Sequence, residues 1–238
     1  MTSRIPSTTA RTEARALNAP GATADAPEPR GAWKRTILRQ LRPAILLTLL
    51  LTLITGIVYP LATMGVAQAL FPSQANGSLV YVNGKPVASK LIGQEWTAPQ
   101  YFQGRPSATN NPQGTPAPYA ADNSGASNLG PTNSALITTV QQRVEALRKA
   151  NPDVPADTPI PVDLVTASGS GLDPDISVAA AYYQIPRVAK ARGLSREAVR
   201  ALVDNHITGR FLGLFGEPRV NVLELNRALD AIARPSGR

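Results

Sequence analysis

Ser168, Gly169, Ser170 and Gly171, in the stretch TASGSGLDPDIS from Thr166 to Ser177, come nearest to a ligand site by residue type and spacing. A Ser/Gly-rich loop running into a helix can cradle phosphate, because its backbone N–H groups point at the anion and the helix N-terminus favours negative charge. Asp173 followed by Pro174 also reads as an ordinary helix start: the carboxylate accepts backbone N–H bonds, and Pro needs no partner in the first turn. A phosphate-binding P-loop requires G-x-x-x-x-G-K-[ST]. None of Lys34, Lys85, Lys90, Lys149 and Lys190 stands in that setting. The capped helix is the preferred reading and the nucleotide loop its alternative.

The remaining candidates are sparser. Asp163, Asp173 and Asp175 could bind a hard cation, but their order lacks a calcium-loop pattern. His206 is the only histidine, and it falls in an amphipathic helical pattern without convergent partners. Arg210, Glu217 and Arg219 in GRFLGLFGEPRVNV are expected to form an ion pair at a tight turn. With no cysteine in the chain, thiolate chemistry, disulfides and cysteine-held metal are excluded. No Ser-His-Asp set and no paired carboxylates can be assigned. An Asp-Lys-Thr-Gly phosphorylation setting is also missing. The expectation is therefore a protein that is not an enzyme by itself, with no catalytic residue, no metal site and no cofactor of its own.

The elements that would position these residues start with a membrane anchor. From Ala44 to Ala69 the sequence reads AILLTLLLTLITGIVYPLATMGVAQA without one charged residue. A span needs roughly 20 apolar residues to cross a hydrocarbon core of about 30 Å. Residues 1–43 carry eight Lys/Arg against three Asp/Glu, and Arg30, Lys34, Arg35, Arg39 and Arg42 lie immediately ahead of the run. After it no basic residue appears before Lys85. Positive residues stay on the cytoplasmic side, which places the N-terminus inside and the chain beyond about residue 70 outside. The formal charge of +8 is thus read as a membrane-topology signal, and nucleic acid is not an expected partner. A cleaved signal peptide ending at Ala67-Gln68-Ala69 is the competing reading; the run is too long for the roughly 7–15 residues of a signal core.

Within the span, Thr48, Thr52, Thr55, Gly56, Tyr59 and Thr63 recur at spacings of three and four and would line one helix face. Small and hydroxyl-bearing residues let helices approach closely in lipid, so Thr48, Thr52, Thr55, Gly56 and Thr63 are candidate docking residues for other membrane helices. The alternative is that the threonines bond back to their own helix. Pro60 should kink or distort the span, and Trp33 and Tyr59 are candidate interfacial aromatics.

The segments read as a disordered cytoplasmic tail over 1–32, a basic juxtamembrane piece over 33–43, the transmembrane helix over 44–69 and an extracytoplasmic domain over 70–238. In that domain, Asn83-Gly84 joins Leu79–Val82 to Val87–Ile92 as a hairpin. Residues 97–131 form a long Gly/Pro/Asn-rich loop, either a solvated excursion or an irregular surface facing a partner. Asn133 or Thr132 caps a helix that ends at Asn151-Pro152. Val162–Ala167 reads as a strand, and a helix runs from Asp173-Pro174 to Gly193, perturbed at Pro186. Ser195 caps REAVRALVDNHI, and Asn221-x-x-Glu224 resembles a capping box opening VLELNRALDAIA. The fold class is a single N-terminal transmembrane helix followed by a mixed α/β (α+β) extracytoplasmic domain.

The blocks LLTLLLTLITGIVYPLATMGVAQALFPSQANGSL, LIGQEW, YFQGRPSA, SGASNLGPTN, PVDLVTASGSGLDP, QIPRVAKARGL and LGLFGEPRVNVLELNRAL occur in continuous order over about residues 40–234. Together they resemble the C subunit of the bacterial Kdp potassium-transporting P-type ATPase, the KdpC family. The resemblance implies a single-pass subunit of the bacterial inner membrane. Its implied partners are a channel-like potassium-binding subunit, a P-type catalytic subunit and a small single-helix subunit. ATP and potassium would be handled by that complex. The implied role is a non-catalytic accessory subunit of a high-affinity ATP-driven potassium uptake complex, needed for assembly and acting near the extracellular potassium entrance. The family is also described as a catalytic chaperone that raises the ATP affinity of the hydrolysing subunit through a Ser/Gly-rich loop; Ser168–Gly171 would be that loop. Because ATP is cytoplasmic and the loop is expected outside, this stays an alternative.

Overall fold

A computed structural model of the chain describes residues 32–232. Of the tail expected over 1–32, residues 1–31 lie outside the described residues, as does the side chain of Trp33, while Ala32 already belongs to a helix. The chain divides into two compact units, the first ending at Gly65 and the second beginning at Val66.

The apolar run is helical throughout. Helix α1 covers Ala32–Leu53, so the whole basic juxtamembrane piece over 33–43 is already helix, and α2 covers Tyr59–Leu70. Between them Ile54–Val58 forms a π-helical turn, in which the Tyr59 N–H donates to the Ile54 carbonyl five residues back. Pro60 explains the wide turn. It brings no N–H to the carbonyl of Gly56, and its ring crowds that carbonyl, so the ladder widens just before it. The expected distortion is present as a π turn, whereas Pro43 is carried inside α1. Among the described residues one helical stretch, Ile37–Leu70, is long and apolar enough to cross a membrane; it has 34 residues and a mean hydropathy of 2.3, and its apolar window has no buried residue.

The second unit is a mixed α+β domain. After the short α3 (Pro72–Ala75) comes the hairpin β1 (Leu79–Val82) and β2 (Lys85–Ser89). Asn83 (φ 51°) and Gly84 (φ 75°) both take positive φ, the turn that matches the twist of paired strands. The second strand therefore begins directly after the turn, at Lys85 instead of the expected Val87. Val80 faces Ala88 but Tyr81 faces Pro86, which leaves Val87 over as a bulge beside a proline that has no ladder donor.

Helix α4 (Ser134–Ala150) starts where Asn133 Oδ1 accepts the Ala135 N–H at 2.9 Å. The strand expected over Val162–Ala167 is not formed. Val162–Leu164 is a 3₁₀ turn, because the Val162 carbonyl is captured by the N–H groups of Val165 (3.2 Å) and Thr166 (3.0 Å) and by Thr166 Oγ1 (2.8 Å). The helix expected at Asp173-Pro174 is displaced too. A strand, β3 (Asp175–Ser177), intervenes, and α5 (Val178–Arg192) is capped by Ser177 Oγ, which accepts the Ala180 N–H at 3.0 Å. Burial decided this: Ile176 is buried opposite Val220 of a distant strand, a gain that a local helix start cannot match. Helix α5 absorbs Pro186 and ends at Gly193 in the left-handed region (φ 66°), with the Leu194 N–H reaching back to the Ala189 carbonyl at 3.0 Å.

Ser195 Oγ caps α6 (Arg196–Asp204), which stops short of the expected Ile207 because Ile207–Thr208 is strand β4. Strand β5 (Arg219–Asn221) leads into α7 (Val222–Ile232). Asn221 Oδ1 accepts the Glu224 N–H at 3.1 Å, so half of the capping box forms; the Glu224 carboxylate goes to Lys90 Nζ at 2.6 Å instead. The sheet order is β3-β5-β4, antiparallel throughout. Helices α5, α6 and α7 pack around it over Ile176, Val188, Val199, Val203, Val220, Leu225 and Leu229, all buried.

Phe102, in the irregular segment, is also fully buried in this core. Side-chain amides take the place of a neighbouring strand there. Asn226 Oδ1 accepts the Phe102 N–H at 2.8 Å while its Nδ2 donates to the Phe102 carbonyl at 2.9 Å. Gln184 does the same for Gln103, accepting from its N–H at 2.8 Å and donating to its carbonyl at 3.1 Å. Arg187, also buried, donates to the carbonyls of Pro99 (2.6 Å) and Tyr101 (2.9 Å), to Asn151 Oδ1 (3.0 Å) and to Gln184 Oε1 (2.6 Å). Burial lowers its pKa to about 10, which still leaves a cation at neutral pH. The long loop is thus neither strand nor free excursion: its first part is stapled to α5 and α7.

Candidate functional site

The Ser/Gly loop forms a seam. Ser168 is buried; its Oγ accepts the Gly171 N–H at 2.9 Å, and its own N–H goes to the Pro106 carbonyl at 3.4 Å. Ser170 Oγ accepts the Leu172 N–H at 3.1 Å. The Ser170 carbonyl receives the Gly125 N–H (2.9 Å) and Ser124 Oγ (3.0 Å), and the Gly171 carbonyl receives Ser107 Oγ at 2.7 Å. Gly171 has φ +69°, and a Cβ there would lie 2.6 Å from the Gly125 carbonyl oxygen. Glycine is required by both conformation and space. Three segments, around 105–109, 124–125 and 168–171, are zipped together here. The loop does not open a helix, since β3 follows it, so the combination of loop and helix N-terminus that favours phosphate is not assembled.

Each acidic candidate has a partner. Asp163 accepts from the N–H (2.7 Å) and hydroxyl (3.1 Å) of Ser177, tying the 3₁₀ turn to the start of α5. Asp173 pairs with Arg105 at 3.0 Å, and its other oxygen accepts the Asp175 N–H at 3.1 Å. Asp175 pairs with Arg219 at 2.9 Å and accepts from Asn221 Nδ2 at 3.2 Å. Burial nonetheless holds the Asp175 carboxyl above the ordinary range, with the Asp173 charge adding and Arg219 and Asn221 opposing. Asp163, Asp173, Asp175, Arg105 and Arg219 line a cleft of about 620 Å³ between the 3₁₀ turn, β3 and the segment from Gly216. Among the described residues no group of three or more His, Asp or Glu converges to hold a metal ion.

His206 Nδ1 lies 2.8 Å from the Leu202 carbonyl and so serves the end of α6. The Arg210–Glu217 pair forms at 2.7 Å, but Arg219 does not join it, because β5 turns its side chain to Asp175. Tyr119 fills the space left by two glycines: its Oη donates to the Arg105 carbonyl at 2.6 Å, and a Cβ on Gly93 would strike its ring. Desolvation, then the charges of Asp173 and Glu95, push its phenol up to about 12.

On the apolar helix, Thr48 Oγ1 donates to the Ala44 carbonyl (2.8 Å) and Thr55 Oγ1 to the Leu51 carbonyl (2.7 Å). Those two hydroxyls are satisfied within their own helix, as the alternative reading had it. At Gly56 the nearest atom to an added Cβ would be Thr52 Cγ2 at 4.0 Å, so packing within this helix does not itself require glycine there. The π turn inserts a residue into the ladder, so Tyr59 and Thr63 are offset from the inner four by about 100° of helix rotation.

Two features escaped the sequence reading. The Asn226, Gln184 and Arg187 staples carry no local signal, since each acts on chain at least 80 residues away. The run Phe211-Leu212-Gly213-Leu214-Phe215 did carry one, an apolar run punctuated by glycine between two strands.

The family described as K+-transporting ATPase, c chain (KdpC) matches residues 41–231. The chain belongs to the KdpC family. It is 57% identical over 203 residues to the protein named potassium-transporting ATPase KdpC subunit of Methylobacterium nodulans, covering 83% of this chain and 99% of that relative. A protein of the same name from Rhodopseudomonas palustris is 56% identical over 201 residues, covering 82% and 99% of the two chains. The one from Bradyrhizobium diazoefficiens is 55% identical over 203 residues, covering 83% and 99%. The KdpC match therefore takes in both the apolar helix and the α+β domain, and the Ser168–Gly171 seam lies inside it.

Proposed function

We propose that the chain is a non-catalytic accessory subunit of a high-affinity ATP-driven potassium uptake complex. It is anchored once in the bacterial inner membrane, with its N-terminus cytoplasmic and its α+β domain outside. Its KdpC membership and the names of its relatives support the complex. The observation that carries the topology is the apolar helix Ile37–Leu70, with Lys34, Arg35, Arg39 and Arg42 about its beginning and no further basic residue before Lys85. One helix cannot enclose an ion path, so partners supply it: a channel-like potassium-binding subunit, a P-type catalytic subunit and a small single-helix subunit. The face of Thr48, Thr52, Thr55 and Gly56 docks on their helices, with Thr63 outside that face because the π turn rotates it away by about 100°, and the outer domain stands near the potassium entrance and supports assembly. Direct contact of Ser168–Gly171 with ATP is the weaker reading, because ATP is cytoplasmic while this topology puts the loop outside, and because a strand, not a helix N-terminus, follows the loop.

A reporter fused after residue 238, active only when exported, tests the orientation: activity outside is expected, and purely cytoplasmic activity refutes it. In the same strain, Thr52→Leu with Gly56→Leu should lower recovery of the assembled complex. Unchanged recovery would remove the stripe from the account.

A further inference from the structure

The turn between β4 and β5 exposes a knob of apolar side chains. Phe211, Leu212, Leu214 and Phe215 are 69%, 74%, 76% and 63% exposed, four large apolar residues within five positions. Isolated exposed leucines are ordinary, but a contiguous cluster of this kind marks a surface that meets something. The knob is also built in advance. Phe211 and Phe215 exchange backbone bonds at 2.9 and 3.0 Å, the Gly213 and Leu214 N–H groups return to Arg210 and Phe211, and Leu212, Gly213 and Gly216 hold positive φ. At the base, the exposed Arg210–Glu217 pair closes the loop. A preformed apolar tip loses little freedom on docking, which is the property of an anchor.

Charge selects the occupant. Segments that seat in a bilayer surface can use Phe and Leu, but they set them against Lys and Arg for anionic headgroups, and Trp and Tyr gather at the interface. Residues 209–218 hold one Arg and one Glu, already paired, with no Lys, Trp or Tyr. With Glu217 neutralised by Arg210, the cleft that continues from the knob at Gly216 presents Asp163, Asp173 and Asp175 against Arg105 and Arg219, an excess of one acid that gives an anionic membrane no attraction. An apolar centre beside a charged rim is instead the pattern of a protein interface.

We propose that Phe211–Phe215 is a docking knob that plugs into an apolar pocket, rimmed by basic or N–H donor groups, on the extracytoplasmic face of a membrane-embedded subunit of the same complex. The proposal rests on the accessory-subunit reading above and adds the surface through which the outer domain is held. The acidic cleft meets the basic rim, and the helix stripe and the knob act as two linked contacts.

The chain has no cysteine, so Leu214→Cys gives a unique attachment point for a nitroxide at an exposed position. The labelled full-length chain is compared alone in detergent and after reconstitution with the remaining subunits in nanodiscs. Accessibility is read by spin relaxation from oxygen and from a water-soluble nickel chelate. The expected result is nickel access in the chain alone and loss of both nickel and oxygen access in the complex. Nickel access persisting in a complex that has assembled overturns the knob and leaves the subunit reading standing. Oxygen access without nickel access means lipid, and protection already present in the chain alone means a second copy; either overturns the proposal. Failure of the native chain to assemble with those subunits overturns the subunit reading and the knob with it. In parallel, Phe211→Ser with Phe215→Ser should lower complex recovery roughly tenfold or more, as for buried aromatic anchors, while the melting of the chain alone is unchanged. Full recovery of the double variant would overturn the proposal.

Discussion

Replacing Asn226 with Ala removes the partner of both backbone groups of Phe102 at once. The Asn226 amide is fully buried and meets the Phe102 N–H at 2.8 Å and its carbonyl at 2.9 Å. Phe102 is itself fully buried, so no solvent route to those groups is open in the folded chain. A buried donor or acceptor left without a partner costs about 1–3 kcal/mol. Two such groups together cost about 2–6 kcal/mol, a large share of the roughly 5–15 kcal/mol that holds a domain folded. Urea unfolding of the detergent-solubilised full-length chain, followed by circular dichroism and fitted with a common slope, measures the loss. Asn226→Asp is the informative companion. It keeps the acceptor for the Phe102 N–H but turns an oxygen toward the Phe102 carbonyl, so it should be worse at neutral pH than in acid. The sign follows from burial: a carboxyl whose folded pKa is raised loses stability as pH rises through that value. A loss below about 1 kcal/mol for Asn226→Ala, the cost of one modest hydrogen bond, would refute the claim that side chains pin this segment.

Gly93→Ala should destabilise the domain by about 1–3 kcal/mol, as overpacking does, because its Cβ would lie 2.6 Å from the Asp173 carbonyl oxygen and against the Tyr119 ring. The same urea titration checks it, and a neutral result would mean that both the Tyr119 ring and the Asp173 backbone give way freely. Tyr119 should ionise near pH 12, above a free tyrosine, in an ultraviolet titration of phenolate absorbance, provided the chain stays folded. Asp175 should titrate above the ordinary carboxylate range by carbon-detected NMR. Its folded pKa is raised, so its contribution to stability falls as pH climbs from the ordinary value to the folded one. A midpoint at or below the free value would show the Arg219 pair outweighing burial.

Local chemistry made part of this domain legible in the sequence. Asn83-Gly84, Asn133, Ser195 and Gly193 each act on backbone within a few residues, so the hairpin turn, two helix starts and one helix end could be read directly. Strand β3 could not, because three residues pair only when Val220 is brought opposite Ile176. The stretch after Pro161 misled for a different reason: its apolar and β-branched content suggested a strand, while Val165 and Thr166, only three and four residues on, turn back to the Val162 carbonyl. At the candidate site, the Ser/Gly composition of 168–171 was visible, but its use as a seam depends on Pro106, Ser107 and Gly125. The stripe on the apolar helix was visible as spacing, and the π turn that offsets its outer end followed from Pro60.

The staple between Phe102 and Asn226 spans 124 residues, and it sets an order of events for a chain that emerges amino end first. The stretch around Phe102 leaves the ribosome long before the helix that must hold it. Contacts so distant in sequence form late and slow the search for the native state. Until the final helix arrives, Phe102 has no core to enter, and the early portion of the domain waits unfolded, with that ring exposed and its backbone open to proteases. A chain cut short before Asn226 would therefore lose its beginning as well as its end.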